Sequence, residues 1–599
     1  MTSMTRSTLR YRVALTIGFL SATGAVFSAY TEPATGYELS IYASTPFAFW
    51  IGISLALLIA LGVALVHPND GVRTLTALAL ATFAVLSIVS LPLLRGYTYY
   101  GRGDPMSHLG WSREIRDGVL NPLDFLYPGI HLTANYLADV AGVELTRALV
   151  LIPKVAFTLV FVVLFAMCVS AMTSGRWGLV LGVFAALLFV PINMVSVHMV
   201  AHPSSQTILF LPVALYLMFR YLTDPTDALA LFKPFGVLFA IVCVGLVFIH
   251  PQEALSFLVL LGTVAVVQHG ARRVASTHPI AAHNSVLPHA IVMAVTFLVW
   301  TPRHERARSS IRFTFETLIT GSGETLTEAT GRGVSLAQLG GSLEELFVKL
   351  FAVTVVFCLL ALLVFLTAFR GRLRESPRTD PIVGYLSLGA VPLCLIFLVV
   401  FFADRGDQYF RFLGVIMVPV TLLGTVALAR FASNTERRIS RSHLAVALGV
   451  VLAGFLIMQL AVVHASPYIY QSNAQVTDQE LKGHANTFEH HDGETPLTAP
   501  RDGARRHIDA HFGWTTARTE LGFPGYREGI PEEAFSGDIT THYDEDRYIV
   551  LTEANYQREV VLLRELRYTE AGFEQFENEP QIARLQDNGE FRMYRLTAA

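Results

Sequence analysis

A short charged stretch, YYGRGDPMSHLGWSREIRDG (residues 99–118), lies between two long apolar runs of the chain. It carries three acids, three arginines and one histidine. Apolar runs of about 20 residues are long enough to cross the hydrocarbon layer of a bilayer, which is roughly 30 Å thick. The stretch is therefore expected at a membrane surface, where ionisable groups usually face a cavity or a partner.

The composition of the whole chain is typical of a membrane protein. Of 599 residues, 53% are hydrophobic and only 15% are charged, and the mean hydropathy is +0.48. A soluble protein of this length would carry more charge and fold as several domains. The four cysteines all fall inside apolar runs, which is typical of small core residues rather than of a disulfide framework or a metal site.

Repeated apolar windows predict an α-helical polytopic membrane protein with about 13 transmembrane helices. The first run has the features of a cleavable signal peptide, but we interpret it as an uncleaved signal anchor, because the following spans need no separate leader. The predicted spans are 13–30, 47–66, 74–94, 148–172, 177–197, 207–221, 234–250, 253–268, 288–301, 347–369, 383–402, 411–430 and 443–464.

The charges of the short loops predict the orientation of the chain in the plasma membrane. With the N-terminus in the cytoplasm, the inner connections include HGARRVASTHPIAAH, RGRLRESPRTD and RFASNTERRISR, which are basic as the positive-inside rule requires. Residues 95–147 then form the first large outer loop, predicted to hold two short helices, and the C-terminal tail is also outside. The segment TPRHERARSSIRF is basic and falls outside too, so it is either an error of this topology or a site for an anionic group.

The tail at residues 466–599 is predicted to be a second domain beside the membrane domain at 1–465. It contains 24 Asp and Glu against 13 Lys and Arg, whereas the rest of the chain contains 23 against 31. RYIVLTEA and EFRMYRL are typical of strands, NYQREVVLLRELRY of an amphipathic helix, and DNGE of a turn before the last strand. These patterns predict a small, acidic, extracytoplasmic α/β domain.

Two interpretations of Asp104 are open at this level. In the first, Asp104 is an N-cap and Pro105 the first residue of a helix that runs to Gly118, and nothing catalytic happens there. In the second, Asp104 is functional, because it shares a helix face with His108 and follows the end of a span by about ten residues.

Further polar groups lie at the predicted outer ends of spans. Histidine–proline pairs at such ends are equally typical of turns and of functional sites, so both interpretations stay open. No His-x-x-x-His pair has a clear carboxylate partner, and neither a metal nor another cofactor is predicted. The candidate substrate-binding residues are His131, His202, His250, Gln252, Asp404 and Tyr409.

Outer arginines form a candidate site for a phosphate group. A guanidinium binds phosphate oxygens in a fork, although an arginine at a span end, such as Arg411, can also simply extend its charge to the interface. The candidate phosphate-binding residues are Arg303, Arg306, Arg312, Arg405 and Arg411.

Three motifs resemble the archaeal type of the GT-C superfamily of polyprenyl-phosphate-sugar-dependent glycosyltransferases. The first is GDPMSHLGWSREIRDG…YPGIHLTANYLADVAG…TRALVLIPKV, which is similar to the family's first outer loop. The second is HPQEA at an outer turn, and the third is DQYFRFLGVIMVPVTLLGTVALA, similar to a late R-Y-L-x-P span. The loop follows the third predicted span here instead of the first, and the WWD signature of oligosaccharyltransferases is absent.

The resemblance implies that Asp104 takes the place of the family's catalytic acidic residue. Our own hypothesis adds that Asp104 is the general base and that His108 positions the acceptor or the donor phosphate. It implies transfer of a hexose from a polyprenyl (dolichyl) phosphate to a glycan, lipid or protein at the cell surface. An inverting transfer needs a general base for the acceptor hydroxyl and cations for the leaving phosphate. The presence of only four lysines suggests a GC-rich genome, and the acidic tail suggests a salt-loving, haloarchaeal source. For such a source, mannosyl transfer to surface-layer glycans is the nearest expectation.

Two other classes of function are left open, namely a transporter or flippase for a lipid-linked saccharide and a non-catalytic scaffold of the cell envelope. A transporter would more often show inverted repeats and broken midplane helices, and the sequence shows neither. A scaffold would not need charges that converge at outer span ends. The sequence contains no nucleic-acid-binding module.

Overall fold

Ten helices of the chain are long and apolar enough to cross a membrane, among the residues described, and the protein is accordingly a multi-pass membrane protein. The computed structural model describes residues 2–66, 71–225, 229–274, 277–320, 333–370, 380–403, 408–501, 503–519, 521 and 524–598. The ten helices are Leu9–Thr31, Phe47–Val66, Gly71–Val89, Leu145–Met172, Pro203–Thr223, Pro251–Val274, Leu343–Phe369, Asp380–Phe402, Tyr409–Thr435 and Arg441–Leu460.

The expected count of thirteen spans is not confirmed, because three of the predicted spans are shorter helices in the described part of the chain. Trp177–Leu187 has 11 residues, Leu287–Trp300 has 14 and Pro234–Ile249 has 16. Shorter helical segments connect the long ones: Ile41–Ser44, Leu91–Leu94, Pro122–Asp124, Ala230–Phe232, Pro279–Ala282, Thr301–Arg303, Glu305–Thr320, residues 333–338 and Pro467–Ile469.

The predicted span at 177–197 ends ten residues early for a local reason. Pro191 cannot continue a helix, and it also disfavours helical backbone in the residue before it. Phe189 adopts a left-handed backbone with φ 49°, and the Asn193 side chain accepts hydrogen bonds from the amides of Val195 (3.0 Å) and Ser196 (2.7 Å). The irregular chain that follows is largely buried inside protein, where such backbone is tolerated at membrane depth.

The loop at 95–147 contains the two short helices that the sequence predicts. We call Asp104–Arg116 the loop helix; it begins after Gly103, whose φ of 76° favours glycine. The second helix, Gly129–Ala141, ends at the left-handed Gly142. His131 and Asn135 share one buried face of it, and the Asn135 amide donates to the Ser112 carbonyl oxygen at 2.9 Å.

The tail contains a mixed five-stranded sheet with the strand order β4-β3-β5-β7-β6. Strand β3 is parallel to β4 and β5, and β7 is antiparallel to β5 and β6. The strands predicted in RYIVLTEA and EFRMYRL are confirmed as β5 and β7, and the DNGE turn connects β6 to β7. The strands are β1 Tyr99–Tyr100, β2 Gln475–Val476, β3 Leu497–Pro500, β4 Gly529–Ile530, β5 Arg547–Thr552, β6 Ile582–Asp587 and β7 Phe591–Leu596.

Helices cover this sheet and connect it to the loop. The predicted amphipathic helix in NYQREVVLLRELRY is shorter than expected, since it runs over Glu553–Tyr556 and continues as a π-helical segment only to Leu562. Two others recur below: the tail helix Arg505–Phe512 and the tryptophan helix Trp514–Thr519. The remaining helices of the tail are Asp478–His490, Glu532–Ser536, Ile539–Thr541 and Glu570–Asn578.

The tail packs directly on the loop helix. Strand β1 of the loop pairs with β2 of the tail, and the loop helix crosses the tail helix so closely that a Cβ on Gly110 would lie 1.9 Å from the carbonyl oxygen of Asp509. The Ser107 hydroxyl donates to the Asp509 carboxylate at 2.6 Å, and the Arg113 guanidinium donates to the Ala510 carbonyl at 2.5 Å. The tail is therefore fixed against the residues that follow Asp104.

We expect Gly110→Ala to loosen the crossing of the two helices. Overpacking of this kind costs about 1–3 kcal/mol, which exceeds the roughly 1 kcal/mol that alanine gains over glycine inside a helix. Protease resistance of the tail and thermal unfolding, measured on the purified protein in detergent, should both fall. The control is Gly454→Ala, a helical glycine with open space around it, which should not destabilise. Equal protection of the tail in both variants would contradict the close contact.

Candidate functional site

A cavity of about 960 Å³ lies where the loop helix, the tail and several membrane helices meet. The membrane helices that begin at Pro203, Pro251 and Gln408 all contribute residues of their first turn to its wall, and the loop helix contributes Asp104. The N-terminus of a helix carries a partial positive charge and free backbone amides, both of which favour an anion. Four helix starts at one cavity therefore make it electrostatically suited to a negatively charged ligand.

Asp104 lines this cavity. It is not the N-cap that the first interpretation of the sequence expects. Gly103 holds the N-cap position, and Asp104 is the first residue of the helix, with Pro105 second. The side chain of Asp104 is 51% exposed, and its carboxylate pairs with the Arg506 guanidinium of the tail at 2.5 Å. The difference arises because glycine alone accepts the left-handed backbone that the chain needs before this helix.

Burial raises the pKa of Asp104, but neighbouring positive charges outweigh it and hold the pKa below its ordinary value. These charges are the guanidinium groups of Arg506 first, then of Arg411 and Arg306. A carboxyl with a lowered pKa is ionised at neutral pH and becomes protonated only as the pH falls through the lowered value. Asp104 is thus present as an acceptor of protons under ordinary conditions.

Neutral imidazoles lie behind the carboxylate. The Nδ1 atom of His108 lies 3.0 Å from Nε2 of His131, and the rings of His108 and His202 are 6.0 Å apart. Burial lowers the pKa of His108 well below its ordinary value, and lowers the pKa of His131 and of His202 to about 3 each. His108 and His202 line the cavity, whereas His131 lies behind His108 and does not.

The HPQEA turn brings two further predicted residues to the wall. His250 and Gln252 both line the cavity, and the buried Glu253 contacts His250 and accepts a hydrogen bond from the Ser204 hydroxyl at 2.5 Å. The Gln252 side-chain oxygen lies 3.5 Å from Nη1 of Arg411. This turn therefore connects the starts of the two membrane helices at Pro203 and Pro251.

The predicted arginines separate into two groups. Arg306 and Arg411 line the cavity. Arg303 lies outside the lining, with its guanidinium 5.8 Å from the Trp300 ring, and Arg312 pairs with Glu316 at an exposed position. Tyr409 packs against Phe401 and Phe410 and does not line the cavity either. The candidate residues Asp404 and Arg405 lie outside the described residues.

Sequence reasoning missed the contribution of the tail. Arg505, Arg506 and Arg518 line the cavity together with Trp514. The available signal was the segment RRHIDAHFGWTTAR, residues 505–518, which is basic and carries an indole inside an otherwise acidic tail. In the described part of the chain, the tail therefore supplies three of the five guanidinium groups that line the cavity.

The cavity has one aromatic and one apolar wall. The rings of Trp111 and Trp514 are 5.4 Å apart, and the Arg306 guanidinium lies 5.5 Å from the ring centres of both Trp111 and Tyr127. The apolar wall comes from the ends of membrane helices and from the helix after Arg303; its residues are Leu255, Phe297, Ile311, Phe313, Val400 and Phe412. An amphipathic ligand with an apolar tail, an anionic group and a polar head fits these surfaces.

No group of three or more histidine, cysteine or acidic side chains suited to hold a metal ion occurs among the described residues. The chemistry that the arrangement itself offers is that of one ionised carboxylate, neutral imidazoles and several guanidinium groups. Together these can accept a proton and stabilise negative charge on phosphate oxygens.

No protein-family model and no curated protein sequence matches the chain. Among solved structures, the fold is similar to that of ArnT from Cupriavidus metallidurans bound to undecaprenyl phosphate, with 12% sequence identity, a TM-score of 0.46, and 88% of this chain and 98% of that chain covered. The apo state of that protein gives 11% identity and a TM-score of 0.46, with the same coverage. The archaeal oligosaccharyltransferase AglB from Archaeoglobus fulgidus, in complex with an inhibitory peptide and a dolichol-phosphate, gives 11% identity, a TM-score of 0.44, and coverage of 85% and 74%. Similarities of this size do not assign the residues of the cavity.

We expect Glu114→Ala to displace the tryptophan helix and with it Trp514. The buried Glu114 carboxylate accepts hydrogen bonds from the backbone amides of Thr515 (2.7 Å) and Thr516 (3.0 Å), which start that helix. Leaving a buried donor without a partner costs about 1–3 kcal/mol. Thermal stability should fall and the tryptophan emission should shift.

The matched control for this change is Asp139→Ala. Asp139 pairs with Arg116 at 2.8 Å on the surface of the same loop, where both side chains are exposed. Such a pair contributes about 0–1 kcal/mol, so the control should unfold close to the wild-type temperature. If Glu114→Ala and Asp139→Ala behave alike, Glu114 does not hold the tryptophan helix.

Proposed function

We propose that the protein is a membrane glycosyltransferase of the GT-C type, which transfers a hexose from a polyprenyl-phosphate donor to an acceptor hydroxyl. The observation that carries the proposal is the meeting of three features in one cavity: the ionised carboxylate of Asp104, the guanidinium groups of Arg306 and Arg411, and an apolar wall. These are the groups that a general base, a phosphate site and a lipid path require.

In the proposed reaction, Asp104 accepts the proton of the acceptor hydroxyl while the hydroxyl oxygen attacks the anomeric carbon of the donor sugar. The bond between that carbon and the phosphate oxygen breaks, and the configuration at the carbon is inverted. The electron pair leaves with the lipid phosphate. His108, neutral and 5.1 Å from the Trp111 ring, is proposed to position the acceptor or the donor phosphate.

Arg306 and Arg411 are proposed to bind the phosphate group of the lipid. A guanidinium binds two phosphate oxygens at once. Arg411 lies in the first turn of its helix, where backbone N–H groups and the partial positive charge of the helix N-terminus also favour an anion. Ile311, Phe313 and Phe412 line the cavity close to these two arginines in sequence and offer an apolar surface to the prenyl chain. Negative charge that develops on the leaving group is then stabilised where it forms.

The cavity and the tail are proposed to lie on the outer face of the plasma membrane, with the N-terminus in the cytoplasm. The basic inner loops support this orientation. Outside the cell no nucleotide sugar is available, so a lipid-linked donor suits a cavity at this surface. The acceptor is proposed to be a cell-surface glycan, lipid or protein, with mannose as the nearest choice of sugar.

We expect Asp104→Asn to lower the rate of sugar transfer by about 10²–10⁴-fold, since the amide keeps the shape of the side chain but cannot take the proton. The measurement is transfer from labelled polyprenyl-phosphate sugars by purified protein at matched amounts. Asp117→Asn, at the exposed other end of the same helix, is the control and should transfer at the wild-type rate. Near-normal turnover by Asp104→Asn would move the base to another carboxylate, such as the buried Glu253.

We expect Arg306→Lys and Arg411→Lys to weaken binding of polyprenyl phosphate by about ten- to a hundredfold, because lysine keeps the charge and loses the fork. Binding of radiolabelled lipid phosphate to the purified variants is the measurement. Arg312→Lys is the control, since Arg312 belongs to the same helix as Arg306 but pairs with Glu316 outside the cavity. If all three variants bind the lipid as the wild type does, the phosphate lies elsewhere.

A further inference from the structure

The cavity carries more positive charge than a single phosphate ester neutralises. Among the residues that the structure describes, five guanidinium groups line it, against the two carboxylates of Asp104 and Glu305. Asp509 lies 3.5 Å from Arg518 and compensates that arginine in part. A donor with one phosphodiester adds a single negative charge, so positive charge is still left over when the proposed donor is bound.

The excess is concentrated on the side of the tail. Arg506 is paired with Asp104, whereas Arg505 has no carboxylate partner among the residues that the structure describes, and its Nε atom is buried without a hydrogen-bond acceptor. Arg518 contributes the second cation of this side. Burial lowers the pKa of Arg518 and Asp509 raises it, while the like charges of Arg527 and, to a smaller extent, Arg505 lower it further. Bringing such cations together is unfavourable unless an anion binds between them.

These side chains are held in place by the contacts of their helices. The Arg518 guanidinium stacks on the Trp514 ring at 4.0 Å, and Glu114 binds the first amides of the helix that carries both residues. Arg505 begins the tail helix, which the close approach at Gly110 fixes to the loop. The cations are therefore preorganised, as is typical of a binding site rather than of a solvated surface.

An aromatic platform adjoins the same cations. Trp514 and Trp111 lie side by side, with ring centres 5.4 Å apart, and both line the cavity. Flat aromatic faces pack against the apolar faces of sugar rings, while charged groups fix the orientation of the ligand. Arg306 also adjoins Trp111, at 5.5 Å from its ring centre, whereas Arg411 is followed in sequence by Phe412 of the apolar wall. The guanidinium that stacks on Trp514 is that of Arg518, from the tail.

We propose that Arg505 and Arg518, with Trp514, bind a negatively charged substituent of the acceptor saccharide, such as a carboxylate, next to the hydroxyl that attacks the donor. This inference rests on the proposed transferase function and names the class of acceptor, namely an acidic sugar. The anion is held by the tail, the sugar ring lies on the indoles, and the hydroxyl is directed towards Asp104.

The test compares two probes that differ only in the acidic group, methyl β-glucuronide and methyl β-glucoside, titrated against the full-length purified protein with tryptophan fluorescence as the readout. The wild type should bind the glucuronide about tenfold more tightly, the effect of one charge-assisted hydrogen bond pair. Arg505→Gln and Arg518→Gln should lose this preference, and Arg505→Lys should retain part of it. The control is Arg527→Gln, which should keep the preference in full because the Arg527 side chain does not line the cavity. Equal affinities in the wild type, or a preference that survives both glutamine variants, would overturn the proposal.

A second pair of probes, farnesyl phosphate and farnesyl diphosphate, separates the acceptor from the donor. Arg505→Gln and Arg518→Gln should leave the affinity for both lipids unchanged within about twofold, since the lipid phosphate is proposed at Arg306 and Arg411. Selective loss of diphosphate binding would overturn the proposal and assign the tail arginines to a second donor phosphate. Failure of the proposed function gives a different result, in which farnesyl phosphate binding does not depend on Arg306 or Arg411 while the preference for glucuronide still stands.

Discussion

The crossing of the loop helix over the tail helix is the contact on which the cavity depends. Gly110 lets the two backbones approach, and the Asp509 carboxylate, fully buried at this crossing, binds Ser107 of the loop at 2.6 Å and lies 3.5 Å from Arg518 of the tail. Ser107 and Asp509 are 402 positions apart in the chain. A buried carboxylate is stable only when its partners are in place, so this contact determines which tail side chains face Asp104.

A second buried contact between the loop and the tail, at Glu480, supports the helix crossing. The Arg102 guanidinium binds the Glu480 carboxylate in a fork, and His507 of the tail helix lies 3.2 Å from the same carboxylate. Burial raises the pKa of Glu480, but Arg102 and His507 lower it further than burial raises it. The pair therefore stabilises the fold at neutral pH, and that stabilisation is lost as the pH falls through the lowered pKa. Removal of one partner would leave a buried charge, at a cost of about 3–5 kcal/mol.

Local sequence patterns predicted the helices and strands, but they did not predict contacts between residues that are distant in the chain. Apolar windows predicted the membrane helices, and the alternation of apolar and polar residues predicted β5 and β7. Both signals depend only on residues that are close together in the sequence. The span at 177–197 was overestimated because hydropathy does not register the turn that Pro191 and Asn193 impose. Asp104, His108, Arg306 and Arg411, which line the cavity, can be picked out in the sequence as polar groups near span ends. The arginines of the tail were missed because nothing in one sequence shows that residues some 400 positions apart share a wall.

The low pKa of Asp104 couples the strength of the proposed base to occupation of the phosphate site. Arg506, Arg411 and Arg306 stabilise the ionised carboxylate and lower its pKa, although burial acts against them. A lipid phosphate bound at Arg306 and Arg411 neutralises part of this field, so the pKa of Asp104 rises and the carboxylate becomes a stronger base only when the donor is present. The same arginines would thus hold the donor and restrain the base until the donor has arrived, which gives a physical reason for so much charge at the membrane surface.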